Sequence, residues 1–231
     1  MSTLAAETAF AAGGARRAVR PLAWLFDLDN TLHNASPHIF PHINRSMTEY
    51  IMRELKVDEP GAQQLRMGYW QRYGATLIGL MRHHGVDPHH FLWHTHQMDL
   101  QRMVVAEAGL RHCLRRLPGR RILFSNSPGH YAQAVLDVLG IGSLFDAVYC
   151  IENMRFRPKP ALAGFRALMK REGLVPARTI MVEDTLDNLR AARRLGLRTV
   201  WVSPHGRCPA WVDVRVHSVM ELPRRLSALG I

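Results

Sequence analysis

Two carboxylates, Asp27 and Asp29, lie two positions apart directly after the apolar run 22–26. A short continuous apolar run is typical of a strand buried on both faces, so carboxylates at its end are costly unless a cation or hydrogen-bond donors meet them. A Mg²⁺ ion, which prefers oxygen ligands, would meet that need. A turn leaving the sheet explains the pair equally well, so the pair alone leaves both interpretations open.

The residues after the apolar run 122–124 could bind an anion. Ser125 offers a hydroxyl, and the backbone N–H groups from Asn126 onward lead into a predicted helix, which suits a phosphate group. An ordinary helix cap, for which Ser127 suffices, is the favoured interpretation of this cluster taken by itself. Further along the chain, Lys159 stands between two prolines that fix the local backbone and leave a long cationic side chain.

A second acidic pair, Glu183 and Asp184, follows the apolar run 179–182, and Asn188 lies one helical turn further on. A role at the start of a helix hardly explains two acids so close behind a buried strand. Together the four clusters place a carboxylate pair, a hydroxyl, a lysine and a second carboxylate pair at successive strand ends. Coincidence is a poor explanation for that order.

A sheet is needed to bring these clusters together, and short apolar runs that alternate with helical segments predict one. The predicted strands are 22–26, 122–124, 147–151, 179–182, 198–202 and 213–216. Four helices are predicted after these strands. The first is capped at 127–128 and runs to 139, the second spans 160–170, the third ends at 195–196, and the fourth spans 218–229. The pattern predicts an α/β fold, a doubly wound parallel sheet with helices on both faces, whose strands all end at one ligand-binding edge.

A long segment without strand-like alternation separates the first strand from the second. Its candidate helices are 38–56, 61–73, 75–84 and 88–105, and a core helix is predicted near 108–117. This segment is far longer than an ordinary connection between a strand and a helix. We therefore expect a helical cap at 35–106, a core made of 21–34 and 107–231, and a disordered tail at 1–20, which is rich in Ala, Gly and Arg.

The composition narrows the class of protein. The chain has 231 residues, and 30 Lys and Arg against 19 Asp and Glu give a formal net charge of +11. This surplus suits nucleic acid, an anionic membrane surface or a phosphorylated small molecule. Three widely spaced cysteines form neither a disulfide framework nor a paired zinc-ligand spacing, which favours a cytoplasmic location. No apolar run approaches the roughly 20 residues of a spanning helix, so no membrane role is expected.

The order Asp-x-Asp-x-Thr, Ser-Asn, Lys and Glu-Asp resembles the haloacid dehalogenase superfamily of phosphohydrolases. The closer resemblance is to the bacterial and fungal pyrimidine 5′-nucleotidase group, and it rests on FDLDNTLH (26–33), YWQRYGATL (69–77), RPKP (157–160) and EDTLDN (183–188). The resemblance implies a Rossmann-like core, an inserted helical cap that closes over the site, and Mg²⁺ as cofactor.

The resemblance also implies roles for the matching residues. Asp27 would be the nucleophile that takes the phosphoryl group, and Asp29 would act as general acid and then general base. Lys159 would restrain Asp27 and offset its charge. The implied phosphate-binding residues are Leu28, Asp29, Ser125, Asn126 and Lys159. Relatives that cleave carbon–halogen bonds lack the second Asp, so Asp29 favours a phosphatase or phosphomutase.

For the metal, the resemblance implies Asp27, Asp184 and the backbone carbonyl of Asp29 as ligands. Glu183 and Asn188 would support that shell, as ligands or through water.

Substrate selection is expected to come from the cap. Asn34, His38, Tyr73 and Thr76 are candidate contacts to the sugar or base. Aromatic and Met side chains of the same region could stack on a base or form the cap's own core; they are Met67, Tyr69, Trp70 and Tyr73. The cap is also rich in histidine, and His90 and His94 have the spacing of one helical turn, but surface histidines are favoured over a metal site because no third ligand is evident.

The expected function is an Mg²⁺-dependent phosphatase of pyrimidine nucleoside monophosphates. Two competing hypotheses are a phosphatase or phosphomutase acting on a sugar phosphate or phosphoglycolate, and a non-enzymatic protein that binds nucleic acid. The last is disfavoured, because the arginines are scattered and no nucleic-acid motif is evident. The expected partner is a small phosphomonoester, and the expected assembly is a monomer or homodimer.

Overall fold

The computed structural model describes residues 21–231, so the tail predicted at 1–20 lies outside the described residues. This part of the chain contains six strands: β1 Ala23–Phe26, β2 Arg120–Phe124, β3 Ala147–Tyr149, β4 Thr179–Glu183, β5 Arg198–Val202 and β6 Val214–Val216. They form one sheet in the order β3-β2-β1-β4-β5-β6, and every pairing is parallel. The predicted α/β fold with a doubly wound parallel sheet is confirmed.

Nine α-helices surround or precede the strands of this described range. They are α1 Ile39–Leu55, α2 Glu59–Tyr73, α3 Thr76–His84, α4 Pro88–Thr95, α5 Leu100–Met103, α6 Leu110–Arg115, α7 Gly129–Val138, α8 Leu162–Glu172 and α9 Leu186–Arg194. Short 3₁₀ helices complete the chain at Gly142–Leu144, Ile151–Met154, Pro176–Arg178, Val219–Arg224 and Ser227–Leu229. Within residues 21–231, no helix combines the length and the apolar character that crossing a membrane requires.

Strand β1 lies in the middle of the sheet, with β2 on one side and β4 on the other. All four of its residues are buried, as expected for a strand covered on both faces. The hydrogen-bond ladder continues one step beyond the strands, because the N–H of Asp27 donates to the carbonyl of Val182 and that of Ser125 to the carbonyl of Tyr149. The polar residues after β1 and β2 therefore leave the sheet at the same edge.

The alternation of side chains along β1 divides the core between the two faces of the sheet. Trp24 and Phe26 pack on one face, with Val135 of α7. Leu25 packs on the other face, with Phe165 of α8 and Leu189 of α9. Helices therefore cover both faces, and they hold the strand ends in fixed positions.

Helices α1 to α5 lie between β1 and β2, where the sequence predicts a helical insertion. Helix α1 packs on α2 and α4, and α2 packs closely on α3. Gly79 of α3 faces the ring of Tyr69 of α2, and an added Cβ at this position would lie 2.0 Å from that ring. Glycine is therefore needed for these two helices to pack. The boundaries of a separate cap at 35 and 106 stay a prediction.

Two predicted helices differ from the structure. The helix predicted at 88–105 ends at Thr95, because His96 leaves the helix and its Nδ1 lies 3.0 Å from the carbonyl oxygen of Leu92. The helix predicted at 218–229 is two short 3₁₀ helices. The first contains Pro223, which has no N–H and cannot continue an α-helical ladder.

Candidate active site

A buried lysine joins two carboxylates at the carboxyl edge of the sheet. Lys159 Nζ donates to Asp27 Oδ1 at 2.7 Å, to Glu183 Oε2 at 2.8 Å and to the carbonyl oxygen of Phe124 at 2.7 Å. Burial lowers the pKa of Lys159, but the two carboxylates outweigh burial and hold this pKa above its ordinary value. The ammonium group is therefore charged at neutral pH, in contact with the predicted nucleophile.

Carboxylates outnumber cations at this point. One oxygen from each of Asp27, Glu183 and Asp184 lies within 4.8 Å of the others. Burial raises the pKa of Asp27 and of Glu183 to about 7, although Lys159 acts against it, and burial also raises the pKa of Asp184. One ammonium group thus leaves the three acids short of positive charge. A divalent cation that prefers carboxylate oxygens, such as Mg²⁺, fits this donor set.

Asp29 faces a different set of partners. Its Oδ1 accepts a hydrogen bond from Tyr131 Oη at 2.6 Å and lies 3.0 Å from His33 Nε2, and its Oδ2 accepts from Ser127 Oγ at 2.6 Å. Burial favours the neutral form of Asp29, but the contacts with His33, Ser127 and Tyr131 outweigh it and lower the pKa of this carboxyl group. The side chain of Asp29 is therefore held in one orientation, apart from the Asp27–Glu183–Asp184 cluster.

The turn after Asp29 brings His33 back beneath it. Asn30 has φ 58°, in the left-handed region that Asn tolerates better than most residues, and its Oδ1 accepts hydrogen bonds from the N–H of Ala35 and from Ser36 Oγ. Asp29 and His33 then pair as an isolated bridge. The sequence leaves a turn and a polar site open as interpretations of the acidic pair. In the structure, Asp27 accepts from Lys159 and Asp29 accepts from Ser127 and Tyr131, whereas the side chain of Asn30 holds the turn.

Asn126 links the end of β2 to the loop that carries the lysine. Its Oδ1 accepts from the backbone N–H of Lys159 at 2.7 Å, and its Nδ2 donates to the backbone carbonyl of Lys159 at 3.1 Å. Both ends of the amide are therefore engaged by Lys159. The predicted phosphate contact of Asn126 would have to come from its backbone, and its side chain positions the lysine instead.

Some of the backbone N–H groups after Ser125 already donate hydrogen bonds to side chains of the protein. Ser125 is buried, and its Oγ accepts from the N–H of Ser127 at 3.0 Å. The N–H of Gly129, at the start of α7, donates to both carboxylate oxygens of Glu152. The interpretation of Ser127 as a helix cap is wrong, because α7 has no side-chain cap and the Ser127 hydroxyl donates to Asp29.

A cavity of about 640 Å³ lies between the strand ends and the helices of the insertion. On the sheet side, its wall is formed by the predicted site residues and their neighbours, namely Asp27, Asp29, Ser125, Asn126, Ser127, Ile151, Phe156, Pro158, Glu183, Asp184, Thr185 and Asn188. On the other side, α1 to α4 contribute mainly apolar side chains. Four of the predicted motif segments therefore meet in one cavity.

The remaining predicted residues are placed as follows. Leu28 is fully buried in the core, so a phosphate contact could involve only its backbone. Thr76 lines the cavity, with its hydroxyl donating to the carbonyl of Arg66. Asn34, His38 and Tyr73 are not part of the cavity wall.

The reasons for these three placements are local. The backbone N–H of Asn34 donates to the carbonyl of Val105, beside a second cavity. His38 is exposed at the start of α1. Tyr73 Oη lies 2.7 Å from His83 Nε2 at the junction of α2 and α3. The structure therefore does not bring these three residues to the predicted substrate region.

Three residues that sequence reasoning did not assign to the site hold Asp29: His33, Ser127 and Tyr131. His33 lies four residues after Asp29 within the same motif, which was an available signal. Ser127 belongs to the cluster for which the sequence suggests either an anion site or a helix cap, and the helix cap was the favoured interpretation. Tyr131 lies on the buried face of α7, where nothing in the sequence distinguishes it from a core residue.

Comparison with known families agrees with this geometry. Residues 23–196 match the family described as haloacid dehalogenase-like hydrolase. The chain belongs to this family. The chain is also similar to two curated proteins. It is 28% identical over 190 residues to phosphate metabolism protein 8 of Saccharomyces cerevisiae, and the match covers 75% of this chain and 59% of the yeast protein. It is 24% identical over 204 residues to phosphoglycolate phosphatase of Pseudomonas putida, covering 81% of this chain and 72% of that enzyme.

Solved structures of haloacid dehalogenase-like hydrolases share the fold. A HAD phosphatase from Thermococcus onnurineus matches with a TM-score of 0.66 and 19% identity over 90% of this chain and 98% of that chain. L-2-haloacid dehalogenase from Xanthobacter autotrophicus matches with a TM-score of 0.58 and 17% identity over 89% of this chain and 98% of that chain. At these identities the likeness concerns the fold, and the substrate has to be argued from the residues of the site.

Proposed function

We propose that this hydrolase is an Mg²⁺-dependent phosphatase that releases phosphate from pyrimidine nucleoside 5′-monophosphates. The observation that carries the proposal is the separation of two carboxylates within one cavity. Asp27 contacts a buried ammonium group, whereas Asp29 is held by three other side chains. Two carboxyl groups in distinct surroundings suit two distinct roles in one reaction.

In the first step, a carboxylate oxygen of Asp27 attacks phosphorus, and the bond from phosphorus to the ester oxygen breaks. Without substrate, the hydrogen-bond partners of Asp29 favour its ionised form, whereas the negative charge of a bound phosphate ester favours the protonated form. Protonated Asp29 then donates its proton to that oxygen, so the nucleoside leaves as an alcohol and Asp27 carries the phosphoryl group. Lys159 offsets the charge of Asp27 while the phosphate approaches. Ser125 is available to donate to a phosphate oxygen.

In the second step, Asp29 takes a proton from a water molecule whose oxygen attacks phosphorus. The bond between phosphorus and Asp27 breaks, inorganic phosphate leaves, and Asp29 ends protonated, as it began. The three partners of Asp29 keep it oriented through both proton transfers. A dehalogenase has no ester oxygen to protonate, so a fixed second carboxylate supports phosphate ester chemistry.

The residues that would hold Mg²⁺ are Asp27, Asp184 and the backbone carbonyl of Asp29, with Glu183 and Asn188 beside them. When bound, the ion would supply positive charge against the phosphate oxygens, where an anionic nucleophile meets an anionic substrate. The geometry supports this assignment, because three carboxylates lie within 4.8 Å of one another beside a single ammonium group.

The wall of the cavity supports a nucleoside as the leaving group. Phe40, Met67 and Trp70 line the cavity, yet Trp70 is 62% exposed and Met67 50% exposed. Exposed apolar side chains at a cavity often mark a ligand surface. A flat base can stack on such side chains, whereas a small sugar phosphate offers mostly hydroxyl groups.

The test is a panel of phosphomonoesters with Mg²⁺, repeated with EDTA, and phosphate release as the readout. UMP, CMP and dUMP should be hydrolysed with higher kcat/KM than ribose 5-phosphate, glucose 1-phosphate or phosphoglycolate. Asp27→Asn is the matched control and should abolish turnover of every substrate. No advantage of the pyrimidine nucleotides would reject the proposal.

The second candidate is a phosphatase of phosphoglycolate or a sugar phosphate. The similarity to phosphoglycolate phosphatase of P. putida favours phosphoglycolate as the substrate of such an enzyme. In the same panel this candidate requires phosphoglycolate to be the best substrate.

A nucleic-acid-binding role would survive Asp27→Asn, because it does not use the nucleophile. The cytoplasmic location and the monomeric or homodimeric state stay predictions.

A further inference from the structure

The wall of the cavity opposite the strand ends contains a cation, Arg66 of α2. The acids of the cavity, Asp27, Asp29, Glu183 and Asp184, all lie on the sheet side. Among the described residues that line the cavity, Arg66 is the only lysine or arginine. The two sides of the cavity are therefore chemically different, and the helical side offers a guanidinium group to whatever part of the substrate lies there.

The guanidinium of Arg66 has few partners in the protein. Its Nη1 donates to Asn44 Oδ1 at 2.8 Å, and its Nε is buried without a hydrogen-bond partner. Within residues 21–231, no carboxylate lies within 4.0 Å of its nitrogens. A cation with an unused donor capacity at a cavity wall is unusual, because buried polar groups are normally paired.

Three helices fix the position of Arg66. Asn44 comes from α1, and Thr76 of α3 donates to the backbone carbonyl of Arg66 at 2.9 Å. Asn44 and Thr76 also line the cavity. These contacts hold the backbone of Arg66 and one terminal nitrogen of its guanidinium group. Such an arrangement is expected of a side chain that is oriented for a ligand.

Arg66 shares its helix face with apolar side chains. Met67 and Trp70 lie on the same part of α2 and line the cavity, and Phe40 of α1 lines it as well. A flat ring bearing an acceptor oxygen matches a wall of this kind, since the ring packs on the apolar groups and the oxygen accepts from the guanidinium.

We propose that Arg66 is the specificity-determining residue for the leaving group, and that its guanidinium donates to the 2-carbonyl oxygen of the pyrimidine. This inference rests on the proposed nucleotidase function. Uracil and cytosine both carry this oxygen, whereas adenine carries no carbonyl group. Arg66 would therefore favour UMP and CMP over AMP without touching the phosphate.

The experiment compares Arg66→Met with the matched control Arg72→Met. Arg72 lies on the same helix, is exposed, is not part of the cavity wall, and has its guanidinium carbon 5.4 Å from the centre of the Tyr73 ring. For each protein, kcat/KM is measured with UMP, with AMP and with phenyl phosphate, which has a ring but no carbonyl oxygen. A hydrogen bond from a charged donor predicts that Arg66→Met loses about 10- to 100-fold with UMP. Activity on phenyl phosphate should be unchanged, and Arg72→Met should resemble the wild type with every substrate.

Equal losses with UMP and phenyl phosphate, or no loss with UMP, would overturn the inference, because Arg66 would then act structurally or not at all. Uridine binding, measured by calorimetry in EDTA, gives a readout that does not depend on turnover. It should weaken in Arg66→Met and be retained in Arg72→Met.

This binding measurement also separates the two proposals. If the wild type fails to hydrolyse UMP, the nucleotidase function is rejected, and uridine binding that requires Arg66 would still support the role of this residue. If uridine binds without any dependence on Arg66, or does not bind, the inference is rejected. Should Arg66→Met fold poorly, Arg66→Gln removes the charge and keeps a polar side chain, and it should also lose activity with UMP but not with phenyl phosphate.

Discussion

Replacing Tyr131 by Phe removes one hydroxyl group from Asp29 and leaves the buried ring in place. Tyr131 Oη donates to Asp29 Oδ1 at 2.6 Å, and the side chain of Asp29 is only 13% exposed. Tyr149 provides a matched control, because its hydroxyl also donates to a carboxylate at 2.6 Å, that of Glu172. Neither tyrosine is part of the cavity wall. The two substitutions remove the same group and the same kind of hydrogen bond.

The magnitude follows from the charge of the acceptor. A hydrogen bond to an ionised group contributes about 1.5–3 kcal/mol, and because one pKa unit corresponds to about 1.4 kcal/mol, its loss should raise the pKa of Asp29 by about one to two units. The sign is upward, because Tyr131 favours the ionised form. Asp29 must be protonated to act as general acid, so the alkaline limb of the kcat profile should move to higher pH by the same amount.

Stability gives a second readout. A carboxyl group with a lowered pKa stabilises the folded state above its unfolded pKa, and this contribution disappears as the pH falls through the folded value. Tyr131→Phe should therefore lower the free energy of unfolding by about 1.5–3 kcal/mol at pH 7, with a smaller effect at acidic pH. Tyr149→Phe should lose a similar amount, since Tyr149 likewise lowers the pKa of Glu172.

The assay is the pH dependence of kcat for both variants and the wild type, with urea unfolding in parallel. Only Tyr131→Phe should move the alkaline limb. An unmoved limb in Tyr131→Phe, with a loss of stability equal to that of Tyr149→Phe, would show that the hydroxyl is structural and would refute the role assigned to it.

Three further predictions concern other parts of the molecule. Because burial raises the pKa of Asp27 to about 7, Mg²⁺ competes with a proton there, and its affinity by calorimetry should fall about tenfold from pH 8 to pH 6; equal affinities would contradict this. Lys159→Met leaves buried carboxylates unpaired and should lower the free energy of unfolding by about 3–5 kcal/mol at pH 8. The loss should be smaller at pH 5, where these carboxylates take up protons. A loss that does not depend on pH in urea titrations would count against this prediction. Gly79→Ala forces a methyl group into the ring of Tyr69 and should lower Tm, whereas Gly68→Ala, which meets nothing within 4 Å, should raise it slightly; similar Tm changes in both would exclude the packing argument.

The sheet was predictable because its central strands are short apolar runs, and all residues of β1 and β4 are buried. Such runs stand out in the sequence, and the carboxyl ends of parallel strands share one edge, so Asp27, Ser125 and Glu183 could be placed together without coordinates. The end of α4 was not predictable in this way. It depends on His96, whose ring packs 5.5 Å from that of Tyr131, and this contact exists only in the folded chain.

The helical side of the cavity was harder to predict, although a signal was present. Tyr69, Trp70 and Tyr73 formed one aromatic group in the sequence, but helical periodicity divides them. Tyr69 and Tyr73 lie four residues apart on the side of α2 that meets the histidines of α3, whereas Trp70 shares the cavity side with Arg66. Assigning these residues by helix face would have removed Tyr73 from the candidates and added Arg66.

The central place of β1 has a consequence for biosynthesis. This strand is translated well before its two neighbours in the sheet, residues 120–124 and 179–183. At about 5–20 residues per second, the second neighbour follows about eight to thirty seconds later. Until residues 120–124 are made, the sequence Ala-Trp-Leu-Phe has neither partner strand, and until residues 179–183 are made one of its two edges stays unpaired. The nascent chain should therefore bind a chaperone at this segment, and slowing translation after residue 124 should increase aggregation.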